Sequence, residues 1–177
     1  MVCEELIRQD PSFAAIHPES VNTVRVFSYY NGTETNIVCA WLKAGQGNAV
    51  VDNGGAGGML AAVDHKTGRV YTDAADEMAH VYPTHPDTGF VFNGFQIPHW
   101  KELVKMVKTM APKLPGVPMI GWDFALSEEK GWQVIEGNEM GQICLMQIPT
   151  KRGMRKELTQ RFEWDKHKTN LVKKDAK

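Results

Sequence analysis

Three residues in the last third of the sequence are of types that bind divalent cations. Asp123 lies in one apolar segment, and Glu136 and Asn138 end the next, across the polar turn 127–131. Side chains at positions i and i+2 of a strand point the same way, so Glu136 and Asn138 share a face, and a hairpin can place Asp123 on that face. Two carboxylates and an amide oxygen form a hard ligand set suited to Mg²⁺ or Mn²⁺. The alternative is an exposed hairpin end with ordinary acidic residues.

The segments that must position this set are predicted to form an antiparallel sheet. Alternation of β-branched and aromatic residues predicts a hairpin of strands 21–30 and 36–43 around the turn dipeptide Asn31-Gly32. The same reasoning predicts four further strands, at 59–63, 69–72, 119–126 and 132–136. The last two are the arms of the hairpin that carries the candidate ligands.

Helices and an irregular segment complete the predicted fold. Pro98 is predicted to open a helix that runs to about 111, and a basic helix is predicted from about Arg152. Residues 73–96, with two prolines, are predicted to be a long irregular stretch. We therefore expect an α+β fold, a mostly antiparallel sheet with helices packed on one face.

The composition excludes several classes of function. The chain has 177 residues, 42% of them apolar, which is enough for a globular core. A formal net charge of −1 gives no footprint for nucleic acid or an anionic membrane. No apolar run is long enough to predict a membrane span, and the acidic N-terminus does not have the pattern of a secretory signal.

The three cysteines do not have the spacing of a disulfide framework or a zinc site. Cys39 and Cys144 lie among apolar residues and are expected in the core. Cysteines of this kind are typical of a reducing compartment, so we expect a cytoplasmic protein.

Ordered motifs of the sequence resemble the sugar-transfer-associated ATP-grasp family, which is related to α-L-glutamate ligases. Gly121-Trp122-Asp123 and Glu136-Gly137-Asn138 are similar to its metal-binding strands, and Cys3-Glu4-Glu5-Leu6-Ile7 is similar to its hinge strand. Further similar segments follow in order, at 20–26, 51–55, 85–89 and 97–100. The resemblance spans residues 2–147.

The resemblance implies an ATP-grasp C-terminal subdomain that binds ATP with Mg²⁺, or Mn²⁺, on Asp123, Glu136 and Asn138. It implies a ligase in which a small carboxylate substrate takes the γ-phosphate and an amine then displaces phosphate. The glycine-rich segment 54–58 is expected to be a wall of the substrate site rather than a phosphate loop, because it has no Lys-Ser/Thr ending.

Other residues take candidate roles by the same resemblance. Arg25 is the candidate catalytic cation, with a surface strand arginine as the alternative. Lys43 is a candidate nucleotide contact, with a solvated lysine as the alternative. Glu4 or Glu5 is expected near the adenine and ribose. His85 is expected to be a hydrogen-bonded loop histidine.

The resemblance also predicts the extent of the domain. Residues 1–164 are expected to form the C-terminal lobe without the N-terminal domain and most of the lid, and 165–177 a basic, frayed tail. Such a lobe is expected to be weak or inactive unless an N-terminal half completes it, and to self-associate through its exposed apolar surface. Gly121 stands where some amino-acid ligases of the superfamily carry an arginine. The alternatives are a non-catalytic nucleotide- or partner-binding module and, less favoured, a metal-dependent hydrolase.

Overall fold

The chain folds around one antiparallel sheet. The computed structural model describes residues 6–54, 57–114, 116–139 and 141–162. Its strands are β1 (Thr23–Tyr30), β2 (Thr35–Ala44), β3 (Met59–Val63), β4 (Ala74–Ala75), β5 (Val81–Tyr82), β6 (Met119–Ser127) and β7 (Gly131–Asn138). In the sheet they lie in the order β5–β4–β3–β2–β1–β6–β7, so β1 lies between β2 and β6.

One face of the sheet carries the main hydrophobic core. Alternate residues of β1, such as Val24 and Val26, are fully buried there. The core extends to the helices α1 (Pro11–Ala14) and α2 (Trp100–Met110), which contribute buried Phe13 and Leu103. The alternation of the strands thus sends one set of side chains to the helices and leaves the other set on the opposite face.

The opposite face carries a second, smaller apolar cluster. Phe27 and Trp41 stack there with ring centroids 5.6 Å apart. The segment after β7 covers them: the 3₁₀ helix Ile143–Gln147 brings Leu145, and the helix α3 (Arg155–Phe162) brings Leu158.

The α+β fold with an antiparallel sheet is confirmed, and so are most of its elements. The hairpins β1–β2 and β6–β7 form as predicted, and the predicted helix at 98–111 is α2 together with the 3₁₀ turn Ala111–Lys113. The basic helix from about Arg152 is α3.

Two predictions at the far edge of the sheet are wrong. Residues 69–72 do not form a strand; Arg69 and Val70 make isolated bridges, because the N–H of Val70 donates to the carbonyl of Phe95 rather than continuing a ladder. The stretch 73–96 is not wholly irregular, since it supplies β4 and β5, which pair with each other and extend the sheet beyond β3.

Among the described residues, the core contains four tryptophans, and the cysteines test its predicted composition. Trp41, Trp100, Trp122 and Trp132 are all buried. Cys39 is half-buried beside the second apolar cluster, but Cys144 is exposed, so its predicted place in the core is wrong. In the described part of the chain, no helix has the length and apolar character needed to cross a membrane. The tail 165–177 lies outside the described residues.

Candidate functional site

A β-bulge brings Glu136 opposite Asp123. Near the turn the two strands pair regularly, with Ser127 opposite Gly131, and that register would place Ile135 opposite Asp123. The register shifts by one residue between Asp123 and Phe124, so Ile135 is the extra residue and Glu136 becomes the partner of Asp123. A bulge of this kind re-aims the side chains beyond it. The two carboxylates therefore meet on one face, as the hairpin pattern predicted.

Five charged side chains are linked in one line of contacts; four lie on β2, β1, β6 and β7, and the fifth lies between β2 and β3. We call this set the charged row: Asp52, Lys43, Asp123, Arg25 and Glu136. Lys43 Nζ lies 3.0 Å from Asp52 Oδ1 and 3.2 Å from Asp123 Oδ2. Arg25 donates from Nε and Nη2 to the two oxygens of Asp123, and its Nη2 also lies 3.3 Å from Glu136 Oε1. Negative and positive groups alternate along the whole line.

Polar side chains extend the charged row at both ends. The Thr23 hydroxyl donates a hydrogen bond of 2.5 Å to Asp52 Oδ2. At the other end, Asn138 Nδ2 donates to Glu136 Oε1 at 2.8 Å. The third residue of the predicted ligand set therefore stands beside the second, as the i, i+2 spacing predicted.

Burial distinguishes the members of the charged row. Arg25, Lys43, Asp52 and Asp123 are all buried, whereas the side chain of Glu136 is 53% exposed. The alternatives for Arg25 as a surface residue and for Lys43 as a solvated lysine are therefore excluded. Desolvation alone would lower the pKa of Arg25, but the hydrogen bonds that it donates to Asp123 and the charges of Asp123, Glu136 and Asp52 raise the pKa above its usual value. Arg25 is a permanent cation.

A cavity of about 430 Å³ opens above the Asp52 end of the charged row. Lys43, Asp52 and Asp123 line its polar side together with Glu136. Its other side is apolar and exposed to solvent, with Leu6 at 89% and Val50 at 71% exposure, and with Val51 and Ile135 beside them. One cavity thus offers an apolar wall and a charged floor, which suits a ligand with an apolar planar part and an anionic part.

A second cavity, of about 310 Å³, opens at the other end of the row. Arg25, Glu136 and Asn138 line it with three residues that follow β7. Glu136 lines both cavities. Two ligands could therefore approach the row from its two ends.

The donor types of Asp123, Glu136 and Asn138 fit a hard divalent cation such as Mg²⁺. Within the described ranges, no group of three or more His, Cys, Asp or Glu side chains is arranged around a common metal position. The candidate set contains two carboxylates and an amide, and both oxygens of Asp123 are already engaged by Arg25. The donor atoms of the set suit the ion. Asp123 can bind the ion only if Arg25 releases its carboxylate oxygens.

The remaining sequence predictions concern Glu4 and Glu5, His85 and the glycine-rich segment. Glu4 and Glu5 lie outside the described residues. His85 is buried and bonded through Nε2 to the carbonyl of Gly45 at 2.7 Å, which confirms it as a hydrogen-bonded loop histidine. Of the glycine-rich segment 54–58, residues 55 and 56 are not described; the residues just before it, Val50 to Asn53, line the first cavity.

Asp52 is the member of the row that sequence reasoning did not single out. It belongs to one of the matched segments, but nothing in its immediate spacing predicts a partner. The available signal is that Asp52 is the only charged residue between Lys43 and Asp64. A lone charge in a glycine-rich, apolar stretch is a candidate for burial with a partner. A parallel bridge of Val51 to Val21 brings it beside β1.

Packing explains why Gly121 departs from the arginine found in some ligases. A Cβ at this position would lie 2.8 Å from Cε2 and 2.9 Å from Cζ of the Phe27 ring. Phe27 is 1% exposed and stacks on Trp41, so the ring has no room to withdraw. Any side chain at position 121 would require this aromatic pair to repack.

One of three comparisons with known proteins identifies a family for the chain. A search of curated proteins and a search of solved structures each found no match to the chain. The model of the sugar-transfer associated ATP-grasp family matches residues 1–163, which is nearly the whole chain. With an antiparallel sheet that presents paired charges beneath an open cavity, the chain belongs to this family of ATP-binding domains.

Proposed function

We propose that this ATP-grasp domain is one lobe of an ATP-dependent carboxylate–amine ligase, with the charged row at the phosphate end of its nucleotide site. The observation that carries the proposal is the first cavity, with buried Lys43 and Asp123 on its floor and exposed Leu6 and Val50 on its wall. A nucleotide has the matching division between an apolar base and an anionic tail.

The two cations of the charged row have different roles in this proposal. Lys43 lines the first cavity and contacts the nucleotide phosphates there. Arg25 lines the second cavity, where its planar fork pairs with a substrate carboxylate or the transferring phosphoryl group. Both cations are paired with carboxylates before any ligand arrives.

Asp123, Glu136 and Asn138 would hold Mg²⁺ or Mn²⁺ between these two cations. When bound, the ion neutralises charge on the β- and γ-phosphates. The residues themselves fix its position relative to Lys43 and Arg25. This assignment is supported by the donor types and by the bulge that places Glu136 opposite Asp123.

The proposed reaction has two steps. A carboxylate oxygen of the first substrate attacks the γ-phosphorus; the bond from that phosphorus to the β,γ-bridging oxygen breaks, giving an acylphosphate and ADP. An amine then attacks the acyl carbon, phosphate leaves with the oxygen that it had bound, and the amine loses a proton. Positioning and charge neutralisation do most of the work in such transfers. The two cavities that share Glu136 give the nucleotide and the carboxylate substrate separate places beside the charged row.

A second protein surface completes the site in this proposal. Residues 1–164 correspond to the C-terminal lobe, and the exposed apolar wall of the first cavity is surface that an N-terminal half, or a second copy of the chain, would cover. Glu4 and Glu5 directly precede Leu6, which lines this cavity, and stay candidates for contacts with the adenine and ribose. A cytoplasmic location is part of the proposal, since Cys39 and Cys144 are not joined in a disulfide.

A calorimetric titration of ADP, with and without Mg²⁺, tests the nucleotide site. Glu136→Ala is the informative variant, because its exposed side chain can be removed without opening the core. Glu129→Ala, in the exposed β6–β7 turn, removes the same charge and is the matched control. We expect Mg²⁺-dependent binding in the wild type and the control, and at least tenfold weaker binding in Glu136→Ala. Equal binding in all three proteins would contradict the proposal.

Trapping of the intermediate separates a ligase from a non-catalytic binding module. With ATP, Mg²⁺, hydroxylamine and a panel of small carboxylates, a ligase forms a hydroxamate in proportion to the ADP released. The chain is expected to do so slowly alone and faster with a supplied N-terminal half. Nucleotide binding without hydroxamate under both conditions would favour the binding module.

A further inference from the structure

Asp123 is fully engaged by the cations of this chain. Its Oδ1 accepts from Arg25 Nε, and its Oδ2 accepts from Arg25 Nη2 and from Lys43 Nζ at 3.2 Å. A divalent cation that binds Asp123 must share these oxygens, and it would stand within a few ångströms of two positive charges. Such a contact is strongly repulsive at 3% exposure.

Each of the two cations has another carboxylate within reach. Lys43 Nζ is closer to Asp52, at 3.0 Å, than to Asp123. Arg25 Nη2 lies 3.3 Å from Glu136 Oε1. If either cation left Asp123, it would still be paired, and the large cost of an unpaired buried charge would not arise.

Asp52 is itself fixed in position. It is 5% exposed, and its Oδ2 accepts the Thr23 hydroxyl at 2.5 Å while Oδ1 faces Lys43. Thr23 is the cross-strand neighbour of Lys43, so the three groups form a unit between β1, β2 and the segment before the glycine-rich stretch. This unit does not depend on Asp123.

We propose that Asp123 exchanges partners. Lys43 and Arg25 neutralise it in the structure described; when a divalent cation binds, Lys43 withdraws to Asp52, and Arg25 keeps only its contact with Oε1 of Glu136, which leaves the other oxygen of Glu136 to the ion. Asp52 is then a positioning residue, because it retains Lys43 at the edge of the first cavity. The inference rests on the proposed metal site and adds a mechanism for filling it.

Binding of the ion also changes the net charge of the row that a phosphate group approaches. The row contains three carboxylates and two cations, so its formal charge is −1 as it stands. A bound divalent cation changes it to +1. Metal-free nucleotide should therefore be repelled, and the released Lys43 and Arg25 become available to phosphate and carboxylate oxygens only when the ion is present.

Binding of Mn²⁺ alone, measured by the electron paramagnetic resonance signal of the free ion, tests the exchange without nucleotide or turnover. Arg25→Gln removes a competing cation and should bind Mn²⁺ about tenfold more tightly than the wild type. Asp52→Asn removes the alternative partner of Lys43 and should bind about tenfold more weakly. Lys101→Gln, an exposed position on α2, removes one positive charge remote from the row and should change the affinity less than twofold.

Arg25→Lys provides a second variant if Arg25→Gln does not fold, which circular dichroism would show. It keeps the charge but loses the two-pronged contact, so its Mn²⁺ affinity should exceed that of the wild type by a smaller factor. If the wild type binds Mn²⁺ and neither Arg25 variant binds it more tightly than Lys101→Gln does, the exchange is wrong while the metal site stands. If no folded variant binds Mn²⁺, the metal site is wrong as well.

Discussion

One face of the sheet is divided into two unlike halves, and the boundary between them crosses the neighbouring strands β2, β1 and β6. On β1, Arg25 is followed two residues later by Phe27; on β2, Lys43 is preceded by Trp41; on β6, Asp123 is preceded by Gly121, above which the Phe27 ring lies. Residues two apart on a strand share a face. The charged row therefore borders directly on an aromatic cluster.

The two halves differ in what covers them. The aromatic half is closed by Leu145, Met154 and Leu158 from the segment after β7. The charged half is left open to the two cavities. Buried ion pairs are weak contributors to stability compared with apolar packing of similar volume. Under the proposed function, the aromatic half stabilises the sheet and the charged half binds the ligands.

The largest effect on stability is expected in the aromatic half. Phe27→Ala should lower the free energy of unfolding by about 3–5 kcal/mol, because it removes a fully buried ring and its stacking on Trp41. Urea denaturation measures the change, with Phe27→Leu as the smaller control step. Any variant that stays folded should keep Mn²⁺ binding within about twofold. A selective loss of Mn²⁺ binding in a folded variant would contradict the separate roles of the aromatic half and the charged half.

In the charged half, a substitution should affect ligand binding more than it affects stability. Asp123→Asn is isosteric and leaves Lys43 and Arg25 paired with Asp52 and Glu136, so the loss of stability should be about 1.5–3 kcal/mol. Mg²⁺-dependent ADP binding should nevertheless disappear. Thermal melts and calorimetry on the same sample compare the two. If the Asp123→Asn protein bound Mg-ADP with normal affinity, the proposed role of the charged row in metal and phosphate binding would be wrong.

Gly121→Ala tests the boundary itself. The added Cβ meets the Phe27 ring at 2.8 Å, and we expect a destabilisation of about 1–3 kcal/mol from overpacking. Because the strain falls on the aromatic side, Phe27→Leu should relieve part of it in the double variant. A double-mutant cycle by urea denaturation measures the coupling; simple additivity would show that the ring is not the obstacle.

The smallest effect is expected for a carboxylate outside the row. Asp64 accepts the backbone N–H of Lys66 and the Thr67 hydroxyl, and these bonds hold its pKa below the usual 3.8. Asp64→Ala should cost about 0.5–1.5 kcal/mol at neutral pH. A lowered folded-state pKa means that the charge-dependent part of this contribution is present above 3.8 and is lost as the pH falls through the folded value. The wild-type-to-variant difference should therefore shrink in acid; a constant difference would contradict the sign.

How far the sequence predicts this site depends on which interactions are local. The period-two alternation of β1, β2 and β6 and the turn dipeptide Asn31-Gly32 fix the central hairpins, and these were predicted. The bulge at Ile135 was not, because no residue type marks it. A regular register would have sent Glu136 to the other face, so the predicted pairing with Asp123 depends on a feature that only the fold supplies.

Long-range partners account for the other gaps. Lys43 looked equally suited to solvent, and its burial follows from Asp52 and Asp123, which lie far away in the sequence. The edge strands β4 and β5 are two residues each; β4 forms by pairing with β3 and β5 by pairing with β4, so their own sequence carries little signal. Gly121 is explained by an aromatic ring on the neighbouring strand, which no local pattern reveals.

The central claim is that the charged row, and not another part of the chain, is the metal and phosphate site of this ATP-grasp domain. Anomalous diffraction from a crystal grown with Mn²⁺ and ADP tests it most directly. The account predicts an anomalous peak at coordination distance, about 2.1 Å, from oxygens of Asp123 and Glu136, with Lys43 turned toward the phosphates and paired with Asp52. A peak away from these two carboxylates, or a nucleotide bound outside the first cavity, would contradict it.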